Sequence, residues 1–555
     1  MRFATPGQAI ARCSRPQLAL ARCWLCAPRM GQSAFSHPPG GHAVRPDGYQ
    51  RREPEQTVLY KTLAAHWPEF LERADGLGGL PRFVVREFEQ FLKCGILAHG
   101  CLHLECRDCG HSLLVAFSCK RRGFCPSCIG RRMADLAVHL EQAVFPEVPV
   151  RHWICSFPWG LRALLGYDRK LCADFVTAFA QELSRSLRHR AKQQLGLESM
   201  SEAHTGILVA IQRVDSALRL NVHFHVLAID GIYTRAERGD ETSDLHFQAL
   251  PTPTHAEVTE IARRTAFRVE RLLRAQGRHL LPREGDDDGA GEPVQLALDE
   301  PGLAACYEVA ASGVGTSGPR AEQPPLRLLG GGGGGRSGGV CSDDKHHGPD
   351  EPVGEYGGIN LYAKQLVHGR DREQLEKLCR YITRPPVANE RLSLRDDGRL
   401  ELGFKRAWRD GTRAIVLEPR DLITRLVAAV PPPRQHQVRY FGVLSSHSVL
   451  RGEIVPPPPD LEPTPAAGDQ LPLGFGEGEG TQAGAKPRKP WSWLLKHIFQ
   501  VDMNYCQQCG GKMRWVQTAT TPRATSRLLA EHGLGPRAPP EPQPPIAGQL
   551  CLAFR

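Results

Sequence analysis

Two closely spaced cysteine pairs constrain this chain more than any other feature of its sequence. The pair Cys106 and Cys109 and the pair Cys125 and Cys128 each enclose two residues, and fifteen residues separate the pairs. One CxxC turn can present two thiolates to an ion, so two such turns supply the four ligands of a tetrahedral zinc site. Redox disulfides are the alternative, but two such CxxC turns, called knuckles below, favour zinc at this spacing. We therefore predict one structural zinc site built from these four cysteines.

Other potential ligands lie close to the knuckles. Cys119 and His111 fall between them and are candidates for a substitute ligand or for a neighbour of the metal. Cys94 and Cys101 are expected to be buried thiols, with a second metal site as the alternative. The chain has 18 cysteines in 555 residues, and they are clustered. Clustering in a long chain indicates metal binding in a reducing compartment, here the cytoplasm, rather than an extracellular disulfide scaffold.

Charge and hydropathy favour a nucleic-acid partner over a membrane. Lys and Arg number 70 against 60 Asp and Glu, which leaves a net charge of +10 and is compatible with a polyanion. No apolar run approaches the ~20 residues that a membrane-spanning helix needs. Basic residues surround the knuckles, where they could contact DNA phosphates or simply form a solvated surface. These residues are Lys120, Arg121, Arg122, Arg131 and Arg132.

Hydrophobic periodicity organises the rest of the chain. It predicts helices within 51–93, from about 131, over 168–195, near 255–275 and over 371–381. The apolar runs 206–212 and 221–229 are predicted to form an antiparallel pair, and 400–418 a hairpin with Asp410-Gly411 at its turn. Residues 1–50 indicate a disordered basic tail, with a targeting signal as the alternative, and the Pro/Gly-rich segment 453–490 a linker. Cys506 and Cys509 form a further CxxC pair in a short module after that linker.

A histidine pair lies within the second of these apolar runs. His223 and His225 are separated by Phe224, so on a strand both imidazoles face one side and the phenyl ring the other. A lone HxH is a weak signal, because many such histidines belong to a core or a surface. The neighbouring run contains Gln212, which could add an oxygen ligand, with Asp215 behind it. Two nitrogens and one oxygen suit Mg²⁺ or Mn²⁺ acting on a phosphodiester.

A tyrosine on the helix over 371–381 is the candidate nucleophile. Tyr381 is flanked by Arg380 and Arg384, which could hold DNA phosphates. A partly buried structural tyrosine is the alternative, and Tyr362 is a rival nucleophile. Phosphodiester cleavage without a metal-bound hydroxide needs such a protein nucleophile.

Taken together, these motifs resemble the rolling-circle HUH transposases of the insertion-sequence-91 group, including the related common-region elements. The resemblance covers about 51–235 and 359–516. The matching stretches are 117–120 and 123–128, 211–213 and 220–227, 379–388 and 390–392, 438–444 and 506–514. Many relatives carry a second tyrosine four residues before the nucleophile, where this chain has Lys377. The chain is therefore similar to the single-tyrosine type.

The resemblance implies an α+β protein, with a helical and zinc-ribbon DNA-binding domain over 51–150 followed by an HUH-nuclease domain over 151–452. That domain is expected to be an antiparallel sheet flanked by helices, with a poorly ordered insertion at about 280–357. A C-terminal CxxC module (491–516) and a tail (517–555) would follow the linker. His223 and His225 are implied as metal ligands and Tyr381 as the nucleophile, whereas Gln212 is our own geometric inference.

The implied activity is nicking and rejoining of single-stranded DNA at element ends through a 5′-phosphotyrosine, in rolling-circle transposition. The implied partners are DNA and host replication machinery, and the oligomeric state is left open. Two other functions remain at this stage. One is a plasmid or phage replication initiator with the same nicking chemistry, and the other is a non-catalytic zinc-dependent DNA-binding protein.

Overall fold

The computed structural model describes residues 52–235, 245–280, 295–329, 351–455 and 502–534. The predicted tail over 1–50, the glycine run 330–335 and the linker beyond residue 455 lie outside these described residues. Within them, none of the helices combines the length and the apolar character needed to cross a bilayer. Helices alternate with antiparallel strands, which agrees with the predicted α+β class.

The described elements are numbered here in chain order. The helices are α1 Val58–Asp75, α2 Arg82–Lys93, α3 Pro126–Ala143, α4 Arg162–Tyr167, α5 Arg169–Leu195, α6 His255–Arg274, α7 Gln295–Asp299, α8 Pro301–Ser312, α9 Arg372–Ile382, α10 Pro419–Ala429, α11 Arg451–Ile454 and α12 Pro522–Glu531. The strands are β1 Cys101–Cys106, β2 Ser112–Ala116, β3 Val150–Ser156, β4 Gly206–Val214, β5 Leu220–Ile229, β6 Gly231–Arg235, β7 Leu245–Ala249, β8 Leu326–Leu329, β9 Val353–Tyr356, β10 Ile359–Val367, β11 Leu392–Leu394, β12 Leu400–Gly403, β13 Thr412–Leu417, β14 Val438–Gly442 and β15 Met513–Ala519.

A six-stranded sheet forms the centre of the molecule, in the order β14-β4-β5-β3-β10-β9. The predicted antiparallel pairing of 206–212 with 221–229 is confirmed as β4 and β5. Helices α5 and α6 pack on one face, where Trp153 and Val226 are buried. Helices α3 and α9 pack on the other face, where Leu208 and Leu227 are buried. Because helices cover both faces, the central strands are almost continuously apolar.

The cysteine-rich region contains a three-stranded ribbon that draws on both ends of the chain. Strands β1 and β2 form a hairpin, and β15 pairs antiparallel with the free edge of β1. Leu528 and Leu529 of α12 then pack beside Cys101 and Leu114. The prediction of a separate C-terminal module over 491–516 and a tail from 517 is therefore wrong for the described residues. An unpaired strand edge exposes a row of backbone N–H and C=O groups. Strand β15 pairs with these groups along the edge of β1 that β2 leaves open.

A second sheet has the order β11-β12-β13-β8. The predicted hairpin over 400–418 is confirmed as β12 and β13, with Gly411 at a φ of +82° in the connecting loop. Strand β8 and helix α8 lie within the predicted poorly ordered insertion, and Tyr307 of α8 is fully buried. The prediction of disorder over 280–357 is thus wrong for 295–329 and 351–357. Apolar residues of α8 pack against α10, a contact that the weak sequence pattern did not reveal.

Candidate active site and cysteine clusters

The two histidines of the HxH motif lie on one face of the central sheet. Phe224 between them is buried in the core on the opposite face. Strand register places Gln212 of β4 directly across from His223. The alternation of side chains in a strand therefore gives His223, His225 and Gln212 the same orientation, towards the face that carries α9.

Helix α9 brings Tyr381 to this face. Its apolar residues Leu375, Leu378 and Ile382 are buried against the sheet, whereas Tyr381 is 41% exposed. The tyrosine ring lies 5.4 Å from the ring of His225, centre to centre, and almost perpendicular to it. Tyr381 and the histidine pair, which are distant in sequence, are thus neighbours in the structure.

Gln212 contacts the end of α9 directly. Its side-chain nitrogen donates hydrogen bonds to the backbone oxygens of Tyr381, at 3.3 Å, and Ile382, at 2.9 Å. The last carbonyls of a helix have no partner within the helix, so these bonds satisfy two of them. They also fix the helix end that carries the tyrosine beside the histidine strand. The amide oxygen of Gln212 takes no part in these bonds.

A third histidine, His152 of β3, belongs to the same group and was missed in the sequence. Its Nε2 lies 2.9 Å from Nδ1 of His225, and its Nδ1 lies 3.1 Å from Oε1 of Gln365. The tyrosine ring is 6.2 Å from the ring of His152. The sequence did carry a signal, because His152 continues the alternation of β3 on the histidine face. The apolar run that indicates this strand in the sequence begins at Trp153, so His152 precedes it.

These hydrogen bonds define the tautomers of the histidines. The oxygen of Gln365 accepts from Nδ1–H of His152, so Nε2 of His152 accepts from Nδ1–H of His225. Nδ1 of His223 donates to the backbone oxygen of Asn221, at 2.7 Å. In both His223 and His225, Nε2 is therefore the nitrogen with the free lone pair. A ligating histidine in proteins almost always donates its other N–H in this way.

Burial keeps these imidazoles neutral. It lowers the pKa of His223, and it lowers the pKa of His152 to about 4. The pKa of His225 is lowered well below its ordinary value, first by burial and then by the neighbouring His223 and His152. Neutral imidazole is the form that binds metals. Nε2 of His223, Nε2 of His225 and the amide oxygen of Gln212 are therefore the donor atoms that these three residues offer to a metal ion.

Three further residues from the sequence analysis, Arg384, Arg380 and Tyr362, have different positions and different partners. The Arg384 guanidinium lies 4.4 Å from the Tyr381 ring. Arg380 forms an ion pair with Glu376 on its own helix, at 2.6 Å. Tyr362 of β10 is two strands away from His225, across β3, and is 42% exposed. Of the two candidate tyrosines, Tyr381 therefore lies beside the histidines.

The structure divides the cysteines differently from the prediction. Two groups of four have all their sulfur atoms within 4.8 Å of one another. The buried cluster consists of Cys94, Cys119, Cys125 and Cys128, and the ribbon cluster consists of Cys106, Cys109, Cys506 and Cys509. The predicted set of Cys106, Cys109, Cys125 and Cys128 is therefore wrong as one site. The two knuckles belong to two sites, and Cys94 is not an isolated thiol.

Strand pairing explains this division. The knuckle of Cys106 and Cys109 directly follows β1, and the knuckle of Cys506 and Cys509 precedes β15. Antiparallel pairing of β1 with β15 therefore brings these two turns to the same end of the ribbon. Cys125 and Cys128 instead begin α3, whose first turn packs under Phe88 and Phe124. The spacing of two CxxC turns does not reveal which turn meets which.

Both clusters fit zinc. Sulfur atoms bound to one tetrahedral zinc are about 3.8 Å apart, because each Zn–S bond is about 2.3 Å. The sulfur of Cys94 is 3.7 Å from that of Cys128, and the sulfur of Cys109 is 3.6 Å from that of Cys506. Backbone hydrogen bonds, first from Cys109, lower the pKa of Cys106 to about 7. Hydrogen bonds from Cys119, Cys125 and Cys94 lower the pKa of Cys128.

His111 and Cys101 lie outside both clusters. The backbone oxygen of His111 accepts from the N–H of Cys106, at 2.9 Å, which is a contact within the knuckle turn. Cys101 is buried in the ribbon, and this burial raises its pKa to about 11. Neither residue takes part in the two groups of four that the described residues form.

The five basic residues around the second knuckle are arranged around the first turn of α3. Arg132 donates a hydrogen bond to the backbone oxygen of Lys120, at 2.6 Å, and Lys120 has a φ of +53°. Arg131 is half-buried, and burial lowers its pKa. Lys120, Arg122 and Arg132 are exposed, and Arg121 is half-buried. Their contact with DNA phosphates stays a prediction.

Two family models match this chain. A "Transposase zinc-binding domain" matches residues 62–157, and a family described as "Putative transposase" matches residues 206–449. The protein is thus a transposase. It is 22% identical over 452 residues to the transposase for insertion sequence element IS801 of Pseudomonas savastanoi pv. phaseolicola, which covers 80% of this chain and 86% of the relative. No solved structure matches it.

The two family models and this relative together support a transposase of the insertion-sequence-91 type. Transposases cut and join DNA strands, so DNA is its substrate and a nuclease and strand-transferase activity follows from the family. The zinc-binding model covers all four residues of the buried cluster and two of the ribbon cluster. This match and the geometry of the sulfur atoms support structural zinc.

Proposed function

We propose that this transposase nicks and rejoins single-stranded DNA through a 5′-phosphotyrosine formed on Tyr381, as in rolling-circle transposition. The observation that carries the proposal is the position of the Tyr381 ring, 5.4 Å from His225 on the same face of the sheet. The HUH-nuclease fold is part of this proposal, and the antiparallel sheet with helices on both faces supports it.

The cleavage step is a transesterification. The phenolic oxygen of Tyr381 attacks the phosphorus, the bond from phosphorus to the 3′ oxygen breaks, and the proton lost by the phenol is balanced by the one gained by the 3′ oxygen. The ester retains the energy of the broken bond, so the reverse attack by a 3′ hydroxyl joins strands without ATP. Arg384, 4.4 Å from the ring, is placed to hold the phosphate that undergoes attack.

Nε2 of His223, Nε2 of His225 and the amide oxygen of Gln212 would hold the divalent ion. When bound, Mg²⁺ or Mn²⁺ supplies Lewis-acid polarisation of a phosphoryl oxygen. His152 is a positioning residue in this scheme, because it accepts the Nδ1–H of His225 and itself donates to Gln365. Gln212 serves twice, since its nitrogen also fixes the end of α9.

The test is covalent capture of a labelled single-stranded oligonucleotide from the element end, in the presence of Mn²⁺. Tyr381→Phe is expected to abolish the protein–DNA adduct and the free 3′ hydroxyl, because no phenol remains to attack. Tyr362→Phe is the matched control, since it removes the other exposed tyrosine hydroxyl of this face and should leave the adduct unchanged. An adduct that persists in Tyr381→Phe would overturn the proposal and would favour another nucleophile such as Tyr362. The absence of an adduct with the unsubstituted protein would favour a non-catalytic DNA-binding role.

The role of His152 has its own readout. His152→Ala and Gln365→Leu are expected to raise the Mn²⁺ concentration needed for half-maximal nicking by about 10-fold to 100-fold, the usual cost of losing a partner of a ligating histidine. The maximal rate at saturating Mn²⁺ should fall less. An unchanged Mn²⁺ requirement would show that His152 only packs beside the site.

A further inference from the structure

An aromatic and cationic surface adjoins Tyr381 and takes no part in the cleavage step. Three segments contribute to it: residues 159–162 at and just before the start of α4, the turn between β4 and β5, and the loop between β12 and β13. We call it the aromatic platform. It consists of the aromatic residues Trp159, Phe404 and Trp408 and the basic residues Arg162, Arg219 and Lys405.

The rings and guanidinium groups of the platform are layered. The Arg162 guanidinium lies 3.8 Å from the centre of the Trp159 ring. Arg219 lies between two rings, 5.8 Å from Trp159 and 5.9 Å from Trp408. Phe404 stacks on Trp408 with 4.6 Å between ring centres and 16° between ring planes. Trp159 remains 47% exposed, so part of its surface is free for a further flat group.

The platform is continuous with the tyrosine site. The indole N–H of Trp408 donates to the hydroxyl of Ser216, at 3.4 Å, and Arg391 donates to the backbone oxygen of the same serine. Lys405 has a lowered pKa, first because of burial and then because of the nearby cations Arg384 and Arg391. Arg384 in turn lies over the Tyr381 ring. A row of cations thus leads from the platform to the nucleophile.

Cations outnumber carboxylates at this surface. Asp215 is paired with Arg219, at 2.7 Å. Glu390 is the carboxylate near Lys405. Nε and Nη1 of Arg162 are buried and have no hydrogen-bond partner among the described residues, and burial lowers the pKa of Arg162 to about 10. Cations around the exposed Trp159 ring suit a ligand that has both flat groups and negative charge.

We infer that the aromatic platform binds single-stranded DNA, stacking bases on Trp159 and Trp408 while its cations contact the phosphates, and that it directs the strand to Tyr381. Unpaired bases can stack on aromatic side chains, whereas bases within a duplex already stack on one another. This inference rests on the proposed function and adds to it a location for the strand that is cut.

The experiment measures binding without cleavage, in the full-length Tyr381→Phe protein. The probe is fluorescein-labelled oligothymidylate of about 20 nucleotides, long enough to exceed the site of one single-strand-binding module. The expected result of Trp159→Ala is about tenfold weaker binding by fluorescence anisotropy, the usual effect of losing one stacked base. Trp159→Phe should retain most of the affinity, because a smaller ring still stacks.

The matched control is Phe267→Ala. Phe267 is 54% exposed on α6, and the Arg263 guanidinium lies 5.1 Å from its ring, so it reproduces the local arrangement on a helix that contributes no residue to the platform. Its removal should leave binding unchanged. Lys405→Gln should reduce the slope of log affinity against log salt by about 0.7, as expected for one phosphate contact of a single strand.

Two results would overturn the inference. One is an affinity for the oligonucleotide, in both Trp159→Ala and Trp408→Ala, that stays within twofold of that of the parent protein. The other is an equal loss of affinity for duplex DNA of the same length, since stacking on unpaired bases cannot cause it. Adduct formation by the protein with Tyr381 intact is scored separately, so failure of the nicking chemistry and failure of the platform give different results.

Discussion

Each of the two cysteine clusters offers four thiolates to a metal ion, but the two clusters are built in different ways. The buried cluster is local, since its four cysteines lie between residues 94 and 128, and three of them are buried while Cys119 is half-buried. The ribbon cluster joins residues about 400 positions apart, and its members Cys109 and Cys509 are exposed. The first is part of the hydrophobic core, whereas the second lies at the end of a three-stranded ribbon.

This difference indicates different contributions to stability. Phe88, Phe91 and Phe124 pack around the buried cluster, so its geometry and that of the core depend on each other. The ribbon cluster closes a very long loop, and the entropic cost of closure rises only slowly with loop length. We therefore expect the buried cluster to be required for folding and the ribbon cluster to hold residues 502–534 against β1.

The largest effect is expected from removing a ligand of the buried cluster. Cys128→Ser should reduce the zinc content from two ions to one and unfold the cysteine-rich region, because a structural zinc contributes on the order of 10 kcal/mol to a small domain. Mass spectrometry measures the zinc content, and circular dichroism follows the thermal unfolding. Cys101→Ser is the control, since this buried thiol belongs to neither cluster and its replacement should keep both ions.

Removing a ligand of the ribbon cluster should have a more local effect. Cys509→Ser is expected to lose one zinc and to release β15 and α12, with little change in the main unfolding transition. The reason is that, among the described residues, β15 pairs with β1 in a sheet separate from the six-stranded central sheet. Limited proteolysis should cut within 502–534 much faster than in the parent protein. A fall in unfolding temperature as large as that of Cys128→Ser would show that the two clusters are energetically alike.

The two zinc ions should also leave at different rates. A chelator is expected to remove the ion of the ribbon cluster at least about tenfold faster, because local opening needs less free energy than opening of the core. A colorimetric zinc assay should then show two phases in the parent protein, and the fast phase should be missing in Cys509→Ser. A single phase in the parent would contradict the comparison.

The smallest effects concern carboxylates beside each cluster. Glu87 accepts the N–H of Gly123 at 2.6 Å in the core, so Glu87→Ala leaves that donor unsatisfied and should cost about 1–3 kcal/mol of unfolding free energy. Glu105 pairs with Arg514 at the ribbon surface, so Glu105→Ala should cost less than about 1 kcal/mol. Chemical denaturation measures the unfolding free energy of both variants. Equal losses would contradict the expected difference between the core and the ribbon surface.

The buried carboxyl also gives a direction for pH dependence. Burial raises the pKa of Glu87 above its ordinary value. The neutral carboxyl therefore favours the fold, and its contribution is complete below the unfolded pKa and is lost as pH rises through the folded one. Glu87→Gln should remove this dependence while its amide oxygen still accepts from Gly123.

Much of the candidate active site could be predicted because its signals are local. The alternation around Phe224 predicted that His223 and His225 lie on one face of a strand, and the periodicity over 371–381 predicted the helix that carries Tyr381. Each depends only on the period of one strand or one helix. The regions where the expectations were wrong, such as α8 and β15, are those whose partners are far away in the chain.

The sequence alone determined which residues are candidates for the chemistry, namely the HxH pair, the tyrosine of α9 and pairs of cysteines that can each offer two ligands from one turn. These features arise from backbone geometry over a few residues. Only the tertiary structure decided that Cys106 and Cys109 meet Cys506 and Cys509, that His152 joins the histidine pair, and that Gln212 fixes the tyrosine helix. Such pairings depend on strand register and packing between distant segments, and no local period encodes them.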